Sequence, residues 1–185
     1  LKYSGVEDLS CKFSGNKGFH IGVPFEAFPK KVGDKLTKDL FPEAPKKIAF
    51  YIKEKIKEEL GKRILELESG SFEKVKEKVG LNQEEIIRYE RNQYGDSVAK
   101  LEVEKFLEID TVLISTRHLY RMPYSLHEKS GLVSLPLDPD KVLQFEKSLA
   151  DPETMLMPAF TFMNRNLQKE SARTLLVQAL DFETK

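Results

Sequence analysis

Ser14, Lys17 and His20 fall within the stretch Ser14-Gly15-Asn16-Lys17-Gly18-Phe19-His20. A hydroxyl, an ammonium and an imidazole at that spacing are groups that hold phosphate oxygens. Gly15 and Gly18 can adopt positive φ, which lets nearby backbone N–H groups converge on an anion. Apolar runs flank the stretch, Leu9 to Phe13 before it and Phe19 to Val23 after it, and Pro24 follows. Strand, tight loop, strand is the predicted layout. An ordinary hairpin with polar residues at its turn has the same pattern, so the loop alone leaves both readings open.

A second cluster begins at Ile109-Asp110 and continues from Arg117 to Leu132. An acid beside apolar residues, followed by Arg121 and His127, can supply a metal ligand and two further phosphate contacts. A helix end and a turn with surface polar groups would read the same way.

Taken in order, the two clusters resemble the small, catalytic subunit of archaeal and eukaryotic DNA primases. The resemblance rests on Ser14-Gly15-x-x-Gly18-x-His20 and, about ninety residues later, on Asp110. Arg121-x-Pro123-x-Ser125-x-His127-x-Lys129-x-Gly131 and the run Val133-Ser134-Leu135-Pro136-Leu137 complete it, over most of residues 9 to 145. It implies an α+β fold with a primase-type two-sheet, RRM-like catalytic core. It also implies a DNA-directed nucleotidyltransferase that makes short primers on a single-stranded DNA template during replication. Nucleoside triphosphates, a primase large subunit and divalent ions (Mg2+ or Mn2+) come with that implication. Carried over by position, Ser14, Asn16, Lys17 and His20 hold the nucleotide's phosphates, with Arg121 and His127 completing the site. Asp110 becomes the catalytic, metal-binding carboxylate. Asn16 stands where family members often carry a basic residue, so it is the weaker contact.

Two departures qualify the resemblance. The family's zinc-binding cysteine cluster cannot be built from Cys11, the single cysteine. The family's apolar-apolar-Asp-x-Asp strand should precede the loop, where this sequence has only Leu1 to Asp8. Asp138-Pro139-Asp140 reads better as a helix cap than as a substitute strand. Leu180-Asp181-Phe182-Glu183 reads as a helix end, or as a permuted strand. The expectation is that the Asp-x-Asp strand lies in a segment or partner chain outside these residues, and that 1–185 is part of a catalytic domain opening at Leu1 rather than Met. One alternative is a ligase-associated repair polymerase, whose Ser-Gly-x-Lys-Gly-x-His-x-x-Val-Pro matches Ser14 to Pro24. His127-x-Lys129 favours the primase. The other alternative is a non-catalytic, nucleotide-binding primase subunit.

The elements that must position these residues follow from pattern. A chain of 185 residues, 40% apolar and 32% charged, suits one sizeable domain. Thirty basic and thirty acidic residues cancel, so a polyanion site must come from local clustering. One cysteine excludes an internal disulfide, and no apolar run reaches the length of a membrane span. An intracellular protein, cytoplasmic or nucleoid-associated, with no membrane partner is expected. Residues 1–29 read as β-rich. Residues 44–108 read as a helical subdomain inserted within the domain, with Ile48, Ile52, Ile56, Leu60 and Ile64 marking an amphipathic helix. Gly61 weakens that helix's last turn, and Ser69-Gly70-Ser71 breaks it. Phe72 to Val79 is predicted as a short helix stopped by Gly80. Asn82 with Glu85 predicts a capped helix through Tyr89, and a further helical segment covers Leu101 to Leu107. Beyond residue 109, a short helix capped by Ser115 or Thr116, a strand over Val133 to Leu137, a helix from Asp138 through Lys147 and a helical tail from Phe160 to Phe182 are predicted.

Overall fold

The computed structural model describes residues 1–110, 114, 115, 117, 119–166 and 170–182. In chain order its strands are β1 (Ser10–Phe13), β2 (Phe19–Gly22), β3 (Lys31–Val32), β4 (Lys35–Leu36), β5 (Ile87–Arg91), β6 (Ser97–Leu101) and β7 (Pro136–Leu137). Its α-helices are α1 (Glu43–Leu67), α2 (Phe72–Val79), α3 (Gln83–Ile86) and α4 (Arg173–Asp181). Small antiparallel sheets and separate helices make this an α+β fold, as the sequence predicts. The chain divides into two compact units, Leu1–Ile48 with Leu113–Lys185, and Ala49–Val112.

The first unit is built on the sheet β2-β1-β7. Pairing runs Ser10↔Gly22, Cys11↔Ile21, Lys12↔His20 and Phe13↔Phe19, so the predicted strand, loop, strand is a hairpin. Side chains alternate between faces along each strand, which puts Phe13 and Phe19 on one face and Lys12 and His20 on the other. On the first face Phe13 packs with Leu135 and Ala150, and the Phe145 ring lies 4.8 Å from that of Phe13 and 5.6 Å from that of Phe19. Burying Phe13 in that cluster stabilises the hairpin by roughly 2–3 kcal/mol. α4 presents buried Leu175, Leu176 and Ala179, and the Ala172 N–H before it bonds to the Ala27 carbonyl at 2.9 Å.

The region after β7 departs from prediction. Asp138 caps a turn, its Oδ1 accepting from the Asp140 N–H at 3.0 Å, but the following helix is replaced by 3-10 turns at Val142–Gln144 and Lys147–Ala150. Tertiary ties override helix propensity there: Phe145 is drawn onto Phe13, and the Ala150 carbonyl accepts from the Val133 N–H at 2.8 Å. Among the described residues the tail is helical only over Arg173–Asp181. Phe162 and Met163 are instead laid over the sheet, with the Met163 N–H on Ser10 Oγ at 3.1 Å. Asp181 ends α4, which is the helix-end reading, while Glu183 lies outside the described residues. Of the predicted capping pair, Ser115 sits in a bend and Thr116 lies outside the described residues.

In the second unit, Val75, Ile86, Leu101 and Val103 form the core, with Leu60, Ile64 and Phe72 packed on it. α1 runs through Gly61 without breaking. A Cβ at Gly61 would meet the Leu101 carbonyl at 3.4 Å, an ordinary contact. Ile56 is exposed because an apolar residue every four positions drifts around a helix of 3.6 residues per turn. α2 spans Phe72–Val79 and stops at Gly80 as predicted; Ser71 caps its start and Gly80 is left-handed. The helix beyond Asn82 is corrected: α3 ends at Ile86, and Ile87 to Leu101 form a hairpin with Ile87↔Leu101 and Arg91↔Ser97 as its outer pairs. Ile87 and Tyr89 prefer extended backbone. Asn92 closes the turn, its Oδ1 accepting from the Tyr94 and Asp96 N–H groups at 2.9 Å each. Leu101 accordingly ends a strand, and Val103–Lys105 is a 3-10 turn.

Candidate functional site

The loop between β1 and β2 is closed from within. The Ser14 N–H donates to the Gly18 carbonyl at 2.8 Å, and Ser14 Oγ accepts from the Asn16 N–H at 3.3 Å and the Gly18 N–H at 3.2 Å. Two of the N–H groups that an open anion nest would use therefore point at the serine oxygen. A hydroxyl that accepts twice still has its hydrogen to donate outward. Gly15 has φ of +92°, whereas Gly18 is not in the left-handed region, so one glycine of the pair meets the conformational expectation. Lys17 is exposed at the loop's tip.

The second cluster packs directly on this loop. The His127 N–H bonds the Leu132 carbonyl at 2.9 Å and the Gly131 N–H bonds the His127 carbonyl at 2.9 Å, closing a turn beside Gly15. Ser130 Oγ donates to the Gly15 carbonyl in a short hydrogen bond. The His127 side chain is only 13% exposed. Its Nδ1 accepts from the Lys129 N–H at 3.2 Å, which assigns the ring hydrogen to Nε2. Arg121 Nη1 donates to the Leu126 carbonyl at 3.0 Å, and Nη2 reaches the Glu128 carboxylate at 2.7 Å. A backbone N–H and the Arg121 guanidinium hold the Glu128 carboxyl below its usual range.

On the opposite sheet face from the phenylalanines, the His20 ring lies against Tyr120, centroids 4.7 Å apart and planes at 42°. Tyr120 stacks in turn on Phe162 at 5.8 Å and 15°. Beneath them Lys12 is fully buried. Burial pushes its ammonium down, helped by the Arg121 charge, to about 8. Burial also pushes the Tyr120 phenol and the Cys11 thiol up.

The loop residues Ser14, Asn16, Lys17 and His20 thus share one unit with Arg121 and His127, and the loop touches the His127 turn directly. Asp110 is exposed and belongs to the second unit, so its relation to the loop is not part of this geometry. Lys12, Tyr120, Ser130, Ser134 and Phe162 were missed in the sequence. A lysine inside an apolar run, Leu9 to Phe13, was the available signal for the first of them.

The donor set around the loop suits an anion. Cations and N–H donors dominate there and the Glu128 carboxylate is taken by Arg121, so carboxylates for a divalent ion would have to come from outside the loop and its turn. Among the described residues no group of three or more His, Cys, Asp or Glu is placed to hold a metal ion. Nor, among those residues, is any helix long and apolar enough to cross a membrane.

Fold and cluster together define a small α+β chain whose basic, glycine-bearing hairpin loop is buttressed by a second polar turn. The chain belongs to the DNA primase small subunit family, whose family model matches residues 2–139. That family's role is nucleotidyl transfer in DNA replication. No curated protein and no solved structure matches the chain.

Proposed function

We propose that this chain takes part in primer synthesis on single-stranded DNA, with the loop and the His127 turn gripping the triphosphate of the incoming nucleotide. The observation that supports the reading is the packing of His127 beside Gly15, which brings the loop and the second polar turn together in a chain whose family model matches residues 2–139. Lys17 and Arg121 supply positive charge, while the Ser14 hydroxyl, Asn16, His20 and His127 supply hydrogen bonds. Positive groups fixed there neutralise charge that builds on the leaving pyrophosphate.

In this reading a divalent ion, Mg2+ or Mn2+, would supply charge neutralisation at the triphosphate. Its carboxylates are Asp110 and an Asp-x-Asp pair contributed by a segment or chain outside residues 1–185. A primase large subunit is the expected protein partner.

The test is nucleotide incorporation on single-stranded template, by this chain alone and with its co-encoded neighbour. Metal-dependent incorporation only in the reconstituted mixture supports the reading. Incorporation by the chain alone overturns the division of carboxylates, and extension confined to gapped duplex overturns primer synthesis. Lys17→Ala and His20→Ala should weaken triphosphate binding, whereas Asp110→Asn should leave binding intact and remove the reconstituted rate.

A further inference from the structure

Lys12 has no part in the site as drawn so far. It lies two residues before Ser14, fully buried, and a buried ammonium costs several kcal/mol unless polar groups compensate it. Among the described residues its hydrogen-bond and ring partners are neutral. Nζ donates to Ser134 Oγ at 2.7 Å and faces the rings of Tyr120 at 4.9 Å and Phe162 at 5.5 Å. The charge that weighs on it is that of Arg121, also positive.

Each of these contacts leads back to the loop. Ser134 Oγ donates onward to the carbonyl of Phe13 at 3.0 Å, the residue immediately before Ser14. Tyr120, whose face the ammonium holds, is the ring against which His20 rests. Lys12 and His20 are also cross-strand partners, so their side chains leave the sheet side by side. A cation over an aromatic face in a desolvated setting fixes the ring more firmly than an apolar neighbour does.

We infer that Lys12 is a positioning residue of the nucleotide site: by bridging Ser134 and Tyr120 its ammonium fixes where the His20 imidazole sits beside the phosphate loop. The inference rests on the reading of His20 as a phosphate contact. An apolar side chain of equal length fills the same space without holding Tyr120, whereas an arginine keeps the charge and a donor.

The experiment compares the full chain with Lys12→Met and Lys12→Arg. One readout is the His20 imidazole resonance and its nuclear Overhauser contact to the Tyr120 ring. The other is affinity for inorganic triphosphate by calorimetry. Lys12→Met should lose the His20–Tyr120 contact and bind triphosphate about tenfold more weakly, and Lys12→Arg should restore both. An unchanged contact in folded Lys12→Met overturns the inference. A lost contact in a protein whose wild type does not bind triphosphate keeps the positioning role and removes the phosphate role of His20. If Lys12→Met does not fold, Ser134→Ala carries the test, since it breaks the same bridge, and persistence of the His20–Tyr120 contact there overturns the inference.

Discussion

Gly15 and His127 approach so closely that no side chain fits between them: a Cβ at Gly15 would stand 2.8 Å from His127 Cβ and 3.1 Å from the Leu132 carbonyl oxygen. Both obstacles belong to the turn that Ser130 ties to Gly15, so neither can retreat without opening the site. The φ of +92° adds backbone strain for any L side chain. Gly15→Ala should cost about 2–4 kcal/mol and abolish triphosphate binding. Gly18→Ala, with no atom within 4 Å of its Cβ and no left-handed φ, should stay within about 0.5 kcal/mol of wild type. Urea midpoints at unchanged slope measure both. Equal losses at the two glycines would mean that the loop is not buttressed by the turn.

Ser134 both accepts from Lys12 and donates to the Phe13 carbonyl, inside a site that excludes water. Ser134→Ala should therefore cost about 2–3 kcal/mol, because it strands a buried ammonium and a carbonyl together. Adding Lys12→Met removes the stranded charge. The double variant should accordingly be more stable than Ser134→Ala alone, and a double-mutant cycle gives the coupling. Strict additivity would show that the two side chains do not depend on each other.

The parts of this fold that were legible in the sequence are those set by local chemistry. The apolar runs around Ser14 to Gly18 announce the hairpin, Ser71 and Gly80 bracket α2, and Asn82 with Glu85 marks the start of α3. The β5–β6 hairpin was not legible, because Ile86, Ile87 and Tyr89 span too few residues to separate a period of 3.6 from a period of 2. Phe162 and Met163 read as tail helix because only tertiary contact with Ser10 and Tyr120 holds them over the sheet. Lys12 was hidden for the same reason. Strand alternation places it opposite Cys11 and Phe13, where a lysine normally faces water, and rings distant in sequence cover it. The motif residues, by contrast, stand out by their own chemistry and spacing, which local sequence carries.

Glu128 competes with a phosphate for Arg121. The 2.7 Å pair between them engages one end of the guanidinium while the Leu126 carbonyl takes another donor. Glu128→Gln removes the negative charge and keeps the shape. Affinity for inorganic triphosphate should rise about twofold to threefold at low salt, and the gain should shrink at high salt, since the carboxylate is exposed. In an Arg121→Ala background the substitution should have no such effect. A gain that survives there would assign the change to general charge rather than to competition for Arg121.

Lys12 also ties stability to alkaline pH. Its ammonium is held at about 8 in the folded chain, below the 10.5 of an ordinary lysine. Below pH 8 both states carry the proton, and the folded state bears the full cost of burying it. Between pH 8 and 10.5 the unfolded chain binds more protons than the folded one, so this group makes the protein more stable as pH rises. Cys11 and Tyr120, both pushed up by burial, act in the opposite sense once the unfolded thiol and phenol begin to ionise. Comparison with Lys12→Met cancels them to first order, since both proteins contain both groups. The unfolding free energy of Lys12→Met minus that of wild type should therefore fall by about 1 kcal/mol between pH 7 and pH 9, whatever its value at pH 7. Paired urea titrations at the two pH values measure it. A difference that stays constant would mean that Lys12 keeps an ordinary lysine's proton affinity, and with it enough water to make its burial inexpensive.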